Sequence, residues 1–507
     1  MPYTVGLQAA AIALLSAGIP TIFTTGIILF FFILSILSSV QKDGPDAPAS
    51  LPGHSIFAII PFFRRRYDFL NWGFQATGQS AFQFSLLRNT VVVVSGESAR
   101  RTFFSAKSLD LTEGFKILSG AIPMVRGVTS DLQTKRVSLI HKRLASAQRH
   151  EHLSTLLPVL LADCRRMMES WGTSGVLDPF ERVYELVFQT TVRALSCSEI
   201  SDDPALVARL KNLYDKLDTG TTPATVLVPW LPTPAMLQKL WATRDVYDIV
   251  TAAIDAREKS GIVRNDTLQM LLNGKDEKLV VVGFIMGLLI AGARATGTTA
   301  CWIATFLGGH PDWRIKAKAE VELLLESASL SVGEDKSAIS ARLATIPLEA
   351  WEGQTPVLDS IIRETLRVAQ PHTAMRRNLG PEMYIDGRLI PQDAYVVYPF
   401  SDVHLDPEIY PDPWRFDPGR PVESDVKSNY NYVGWGGGKT VCLGQRLGKI
   451  ELKLITAMFL LGFEHHVVDG SGKPADPLPT PNWNDILFCR PPPGSFGLKY
   501  ERTKATL

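Results

Sequence analysis

The segment Gly434-Trp435-Gly436-Gly437-Gly438-Lys439-Thr440-Val441-Cys442-Leu443-Gly444 carries the residues best suited to chemistry. Glycine fills four of the five positions 434–438, so the backbone can come close to a flat ligand. Cys442 then precedes a stretch in which Leu447, Ile450, Leu452 and Leu454 recur at helical spacing. A sulfur at a helix N-terminus meets free N–H groups and the positive end of the helix dipole. Both favour the thiolate, the form that binds metal. A glycine loop ahead of a helix can also cradle phosphate, but the cysteine argues for a metal.

Glu364 and Arg367, three apart, share a helix face and can pair. They lie in Pro356–Val368, where Val357, Leu358, Ile361, Ile362 and Thr365 form one apolar face. Residues 279–307 are apolar nearly all round, as in a buried central helix, and His310-Pro311 ends the run. Helical periodicity dominates from about residue 130 to 370. Thr90–Val94 reads as a strand, and Asp386-Gly387 between two short apolar runs is a hairpin signature. The expected body is therefore one mainly α domain with a minor β region, over residues 54–507.

Ahead of it, residues 1–41 contain no charged side chain, and their densest apolar stretch is Ile19–Val40. About 20 apolar residues match the thickness of a bilayer, so this segment is expected to be an N-terminal transmembrane anchor. Lys42, Arg64, Arg65 and Arg66 all follow the span, which puts the body on the cytoplasmic side. Residues 42–53, with three prolines and two glycines, read as a stiff extended linker. Lys plus Arg (52) nearly cancel Asp plus Glu (51), so nucleic acid is not an expected partner. The five cysteines have no paired spacing, and nine histidines show no metal-binding cluster, which suits a reducing, cytosol-facing compartment.

The glycine loop resembles that of the cytochrome P450 family. The family places an aromatic seven residues before the cysteine, a glycine four before it and a glycine two after. Trp435, Gly438 and Gly444 occupy those positions, and Glu451 falls on the acidic position of the following helix. Glu364-Thr-Leu-Arg367 and Pro413-Trp414-Arg415-Phe416 match two further family segments in order. The resemblance implies a P450 fold, haem b with Cys442 as the iron ligand, and Arg415 as a second arginine joining the Glu364–Arg367 pair. It also implies electrons from NADPH through a separate flavin-containing reductase, a lipophilic substrate, and residence in the endoplasmic reticulum membrane as a single-pass protein.

The sequence departs from the family pattern in three places. Trp435 replaces the common Phe, as in the branch containing prostacyclin synthase and sterol 7-hydroxylases. Thr440 stands where an Arg usually meets a haem propionate, so Arg376 and Lys142 become the candidate propionate contacts. In the central helix the family's acid–alcohol pair, which organises water and delivers protons during oxygen activation, is replaced by Arg294 and Ala295. An alanine cannot donate a proton and an arginine cannot accept one. Thr298 and Thr299, one turn on, and the adjacent Thr296 are the candidate substitutes. Three readings stay open: a monooxygenase, an isomerase or lyase acting on a pre-oxidised substrate without a reductase, and a haem-binding protein without turnover. By resemblance the pocket is lined by residues 289–299, 369–375 and 483–488, an apolar set that suits a terpenoid, steroid, polyketide or fatty acid.

Overall fold

The computed structural model describes residues 24, 26, 44–52, 56–119, 137–329, 338–370, 372–421, 430–504 and 506–507. The expected anchor, residues 1–41, lies almost wholly outside the described residues.

Eleven strands are described: β1 (Ala49–Ser50), β2 (Ala81–Leu86), β3 (Asn89–Val94), β4 (Leu109–Asp110), β5 (Ser174–Leu177), β6 (Thr373–Asn378), β7 (Met383–Ile385), β8 (Arg388–Ile390), β9 (Tyr395–Pro399), β10 (Phe463–Asp469) and β11 (Phe496–Arg502). They form a six-stranded sheet in the order β1-β2-β3-β9-β6-β4, a three-stranded sheet β10-β11-β5, and the β7-β8 hairpin. The hairpin turns at Asp386 (φ 49) and Gly387 (φ 73), the two left-handed residues that such a turn requires. The Val-rich β3 lies in the interior of the large sheet, with Val91 to Val94 fully buried.

Helices make up the rest. Several begin with proline just inside the first turn, where the missing N–H costs nothing. Asp178, Asp203 and Thr233 cap the helices Pro179–Leu195, Pro204–Thr219 and Pro234–Ser260 by accepting backbone N–H bonds. The apolar run reads out as the helix Lys278–Gly309, which packs most extensively on Pro179–Leu195 and also on Gln445–Gly462. It is the one described helix long and apolar enough to cross a membrane. Trp302, Ile285 and Leu289 nevertheless lie deep in the main core.

The proline-rich segment is neither extended throughout nor free: it turns at Gly44–Ala47, where Ala47 N donates to Gly44 O at 3.1 Å. Ala49 and Ser50 pair with Phe82 and Gln83 in the large sheet, and Asp46 O accepts from Leu389 N at 2.8 Å. Composition marks the prolines, which here serve a turn as well as an extended stretch, but it does not reveal the sheet edge that takes the segment up.

Candidate active site

Residues 434–442 form a tight loop rather than an open cradle. Gly436 N donates to Val433 O at 2.8 Å and Cys442 N to Trp435 O at 2.7 Å, so the cysteine is folded back onto the tryptophan. Gly438 has φ 56, and a Cβ there would lie 2.2 Å from Phe104 O, in the helix Glu97–Ser105. Any larger residue would push the loop off that helix. The helix Gln445–Gly462 starts three residues after the sulfur.

Cys442 has open surface, as do its apolar neighbours Val441 (45% exposed) and Leu443 (50%). Protein still crowds the thiol enough that desolvation raises its pKa, while the Gly444 N–H works the other way. A Cβ at Gly444 would stand 4.0 Å from the sulfur, in the space beside it. An open thiol flanked by two accessible aliphatic side chains offers a soft metal ligand with an apolar surround, which suits an iron held in a flat apolar ring.

Gln148 is a residue that sequence reasoning missed. Its side chain donates to Leu443 O at 2.5 Å and accepts from Leu447 N at 3.2 Å. Arg446 donates to Gln148 O and pairs with Glu352. Gln148, in the turn after the helix Val137–Ala147, thus ties the residues just after the cysteine to a distant part of the chain, and no local pattern announces a glutamine in that role.

Arg376 meets the loop at the position of the expected propionate contact. It is only 5% exposed, and Nη2 donates to Thr440 Oγ1 at 2.8 Å. The side chain makes one further bond, to Met375 O, and among the described residues no carboxylate pairs with it. Burial pushes its pKa down to about 10. A desolvated cation with no ion pair among the described residues, and only the more distant charge of Asp110 acting on it, fits an acidic group on the ligand. Thr440 stands where relatives carry an arginine, and here it receives one from β6. Lys142, by contrast, is exposed on the helix Val137–Ala147. It makes no contact with the loop among the described residues, and its neighbour Arg143 is taken by Asp276 and Gly274 O.

On the central helix Ala291 and Ala295, one turn apart, are accessible, whereas Ala293 and residues 297–308 are buried. The accessible face therefore consists of small apolar side chains. Thr299 Oγ1 donates to Ala295 O at 2.8 Å, and Thr298 Oγ1 donates to Leu487 O at 3.1 Å. Thr296 lies toward the helix after the cysteine, its Oγ1 3.9 Å from where a Cβ on Gly448 would be. Only Thr299 is tied to the backbone of the residue that lacks the alcohol. Arg294 turns away to pair with Asp218 of the helix Pro204–Thr219, so the substituted acid position has become a cationic tie between two helices. Burial lowers its pKa.

The Glu364–Arg367 pair is bidentate and buried, at 2.8 and 2.7 Å. The expectation for Arg415 is corrected: its side chain is exposed and pairs with Asp417 at 2.9 Å. The second arginine on Glu364 is Arg420, at 3.1 Å. Arg415 contributes its carbonyl, which accepts from both Arg367 and Arg420. The turn after Pro413 points the Arg415 side chain outward and brings Arg420 back over the carboxylate, a fold-back that spacing alone does not reveal.

Comparison with known proteins agrees with this geometry. The Cytochrome P450 family model matches residues 48–496. The cytochrome P450 monooxygenase AacuE of Aspergillus aculeatus is 30% identical over 490 residues, covering 92% of this chain and 96% of that protein. Lanosterol 14-alpha demethylase of Pongo abelii is 27% identical, covering 94% of this chain and 91% of its own. The fold superimposes on cyanobacterial CYP120A1, solved with retinoic acid bound, with a TM-score of 0.70 at 21% identity over 91% of this chain. With the cysteine loop, the buried Glu364 network and the match across most of its length, the chain belongs to the cytochrome P450 family, whose members are oxidoreductases that work with haem iron.

Proposed function

We propose that this enzyme is a membrane-anchored haem-thiolate monooxygenase that inserts oxygen from O2 into a lipophilic small molecule of biosynthesis. A terpenoid, steroid, polyketide or fatty acid would suit it, with electrons coming from NADPH through a separate P450 reductase. The observation that carries this reading is the open Cys442 sulfur between Val441 and Leu443, beside a buried Arg376 that lacks a carboxylate partner among the described residues. Cys442 would ligate the iron, Trp435, Gly438 and Gly444 would shape the loop around the ring, and Arg376 would hold a propionate. When bound, the haem supplies the oxidation, and a thiolate ligand favours O–O cleavage. The chain's own part is to bind and orient the substrate against the Ala291–Ala295 face and to manage protons there. Thr299 is the best placed hydroxyl for the second task, because its bond to Ala295 O keeps it beside the vacant alcohol position. The uncharged apolar run in residues 1–41 and the cations after it support residence in the endoplasmic reticulum membrane with the body cytoplasmic.

A second reading, a reductase-independent isomerase or lyase, is favoured by one observation. Arg294 is consumed by Asp218 and Ala295 carries no hydroxyl, so the usual proton-delivery pair is missing. The carbon monoxide difference spectrum separates the two. The membrane-bound protein is reduced once with dithionite and once with NADPH plus a P450 reductase. A red-shifted thiolate band in both samples is expected, and a band with dithionite alone would favour the isomerase. Absence of the band with haem bound would refute Cys442 ligation. Cys442→Ser is expected to abolish the band and turnover together.

A further inference from the structure

Asp218 lies in the last turn of the helix Pro204–Thr219, at the negative end of its dipole, where a carboxylate is unfavourable without a cation. Lys216 shares that turn but is exposed and two residues away, so it faces elsewhere. The cation that meets Asp218 comes from the central helix, where Arg294 pairs with it. Arg294 depends on the pair in turn. Its Nε is buried without a hydrogen-bond partner, and Asp215, Asp485 and Tyr184 act on it without pairing. Asp215 is held by Lys211 at 3.1 Å, and Lys211 lies over the Tyr184 ring, 5.6 Å from the centroid. Asp485 accepts from the backbone N–H groups of Leu487 and Arg490. Neither carboxylate replaces Asp218.

The pair borders the ligand space. Ala291, Arg294 and Ala295 are positions i, i+3 and i+4 of one helix face, the face on which the two alanines are accessible. The Arg294 side chain is 28% accessible and that of Asp218 21%, so the ions are not sealed in the core and can be rehydrated when they part. The other polar tie between these helices, among the described residues, is Tyr214 OH, which donates to Met286 O at 3.1 Å. Met286 lies about two turns before Arg294. At its C-terminal end, then, the helix Pro204–Thr219 is tied to the central helix by one described polar contact. Beyond it the chain leaves the helix at Gly220 and reaches Pro234–Ser260 through a connection whose one helical turn is Pro223–Leu227.

We propose that the Arg294–Asp218 pair is a latch on the ligand space: closed, it holds the last turn of Pro204–Thr219 against the central helix beside the alanine face, and its opening lets a ligand in and out. The latch depends on the haem only as a reporter, not on oxygen chemistry or the reductase.

Full-length holoenzyme is mixed rapidly with 4-phenylimidazole at pH 8, where an imidazole is uncharged, and association and dissociation are followed in the haem absorbance. A latch alters entry and exit together, because both pass through the open state, whereas a lost binding contact alters mainly exit. Asp218→Asn is expected to speed both rates about tenfold and to leave their ratio within about twofold of native. Arg294→Lys, which keeps the charge, should fall between native and Asp218→Asn. Raising the salt from about 0.05 M to about 1 M should screen the pair, speeding entry into the native protein and leaving Asp218→Asn unchanged. Native rates in Asp218→Asn, or a change in exit alone, would overturn the latch. If Asp218→Asn does not fold or take up haem, the salt series on native protein decides, and an entry rate indifferent to salt would refute the proposal. A failure of the monooxygenase reading would show separately, in the reductase arm of the carbon monoxide experiment.

Discussion

Replacing Glu451 by Gln should stabilise the fold at alkaline pH and do little at acid pH. Glu451 is 3% exposed in the helix after the cysteine. It accepts from Thr190 Oγ1 at 2.5 Å and Thr191 Oγ1 at 2.9 Å, and no described cation pairs with it. Two hydroxyls do not compensate for the lost water, and burial pushes the carboxyl up to about 7. The folded state therefore keeps its proton over a range where the unfolded chain has given it up. The stabilising effect of that proton is complete below the ordinary 4.5 and is lost as pH rises through about 7. The loss amounts to about 3 kcal/mol once both values are passed. A glutamine keeps the shape and an acceptor for the threonines but never ionises. Urea unfolding of native and Glu451→Gln holoenzyme at pH 5 and pH 8 measures the double difference, in which other titrating groups cancel. The variant's advantage should grow by about 2 kcal/mol or more between the two pH values. An advantage that is the same at both would show that the folded protein holds Glu451 ionised, and the burial argument would fail.

Other perturbations test the remaining assignments. Arg420→Ala should cost about 2–4 kcal/mol, because it leaves the buried Glu364 with one partner fewer. Arg415→Ala should stay within about 0.5 kcal/mol, as for an exposed pair; comparing the unfolding midpoints of the two variants checks the correction directly. Gly438→Ala should lower haem retention during size-exclusion chromatography, because its Cβ meets Phe104 O; native retention would show that the loop yields easily. Thr299→Ala should uncouple NADPH consumption from product, read as extra hydrogen peroxide, and unchanged coupling would remove Thr299 from proton handling.

The sequence by itself determined the elements whose signals are local. The apolar run became the helix Lys278–Gly309, Pro356–Val368 kept its limits, and Asp386-Gly387 turned the hairpin. The glycines around Cys442 also declared themselves, because positive φ and close backbone approach demand glycine whatever lies further off. Glu364 and Arg367 were legible for the same reason, being neighbours on one helix face. What only the tertiary structure decided is which distant groups meet. Arg420 rather than Arg415 completes the carboxylate pair, Gln148 anchors the cysteine loop, Arg376 reaches Thr440, and Asp218 takes up Arg294. A charge's partner is set by the path of the chain through space, which depends on how helices and sheet pack. Residue type and spacing carry that information only within a few turns.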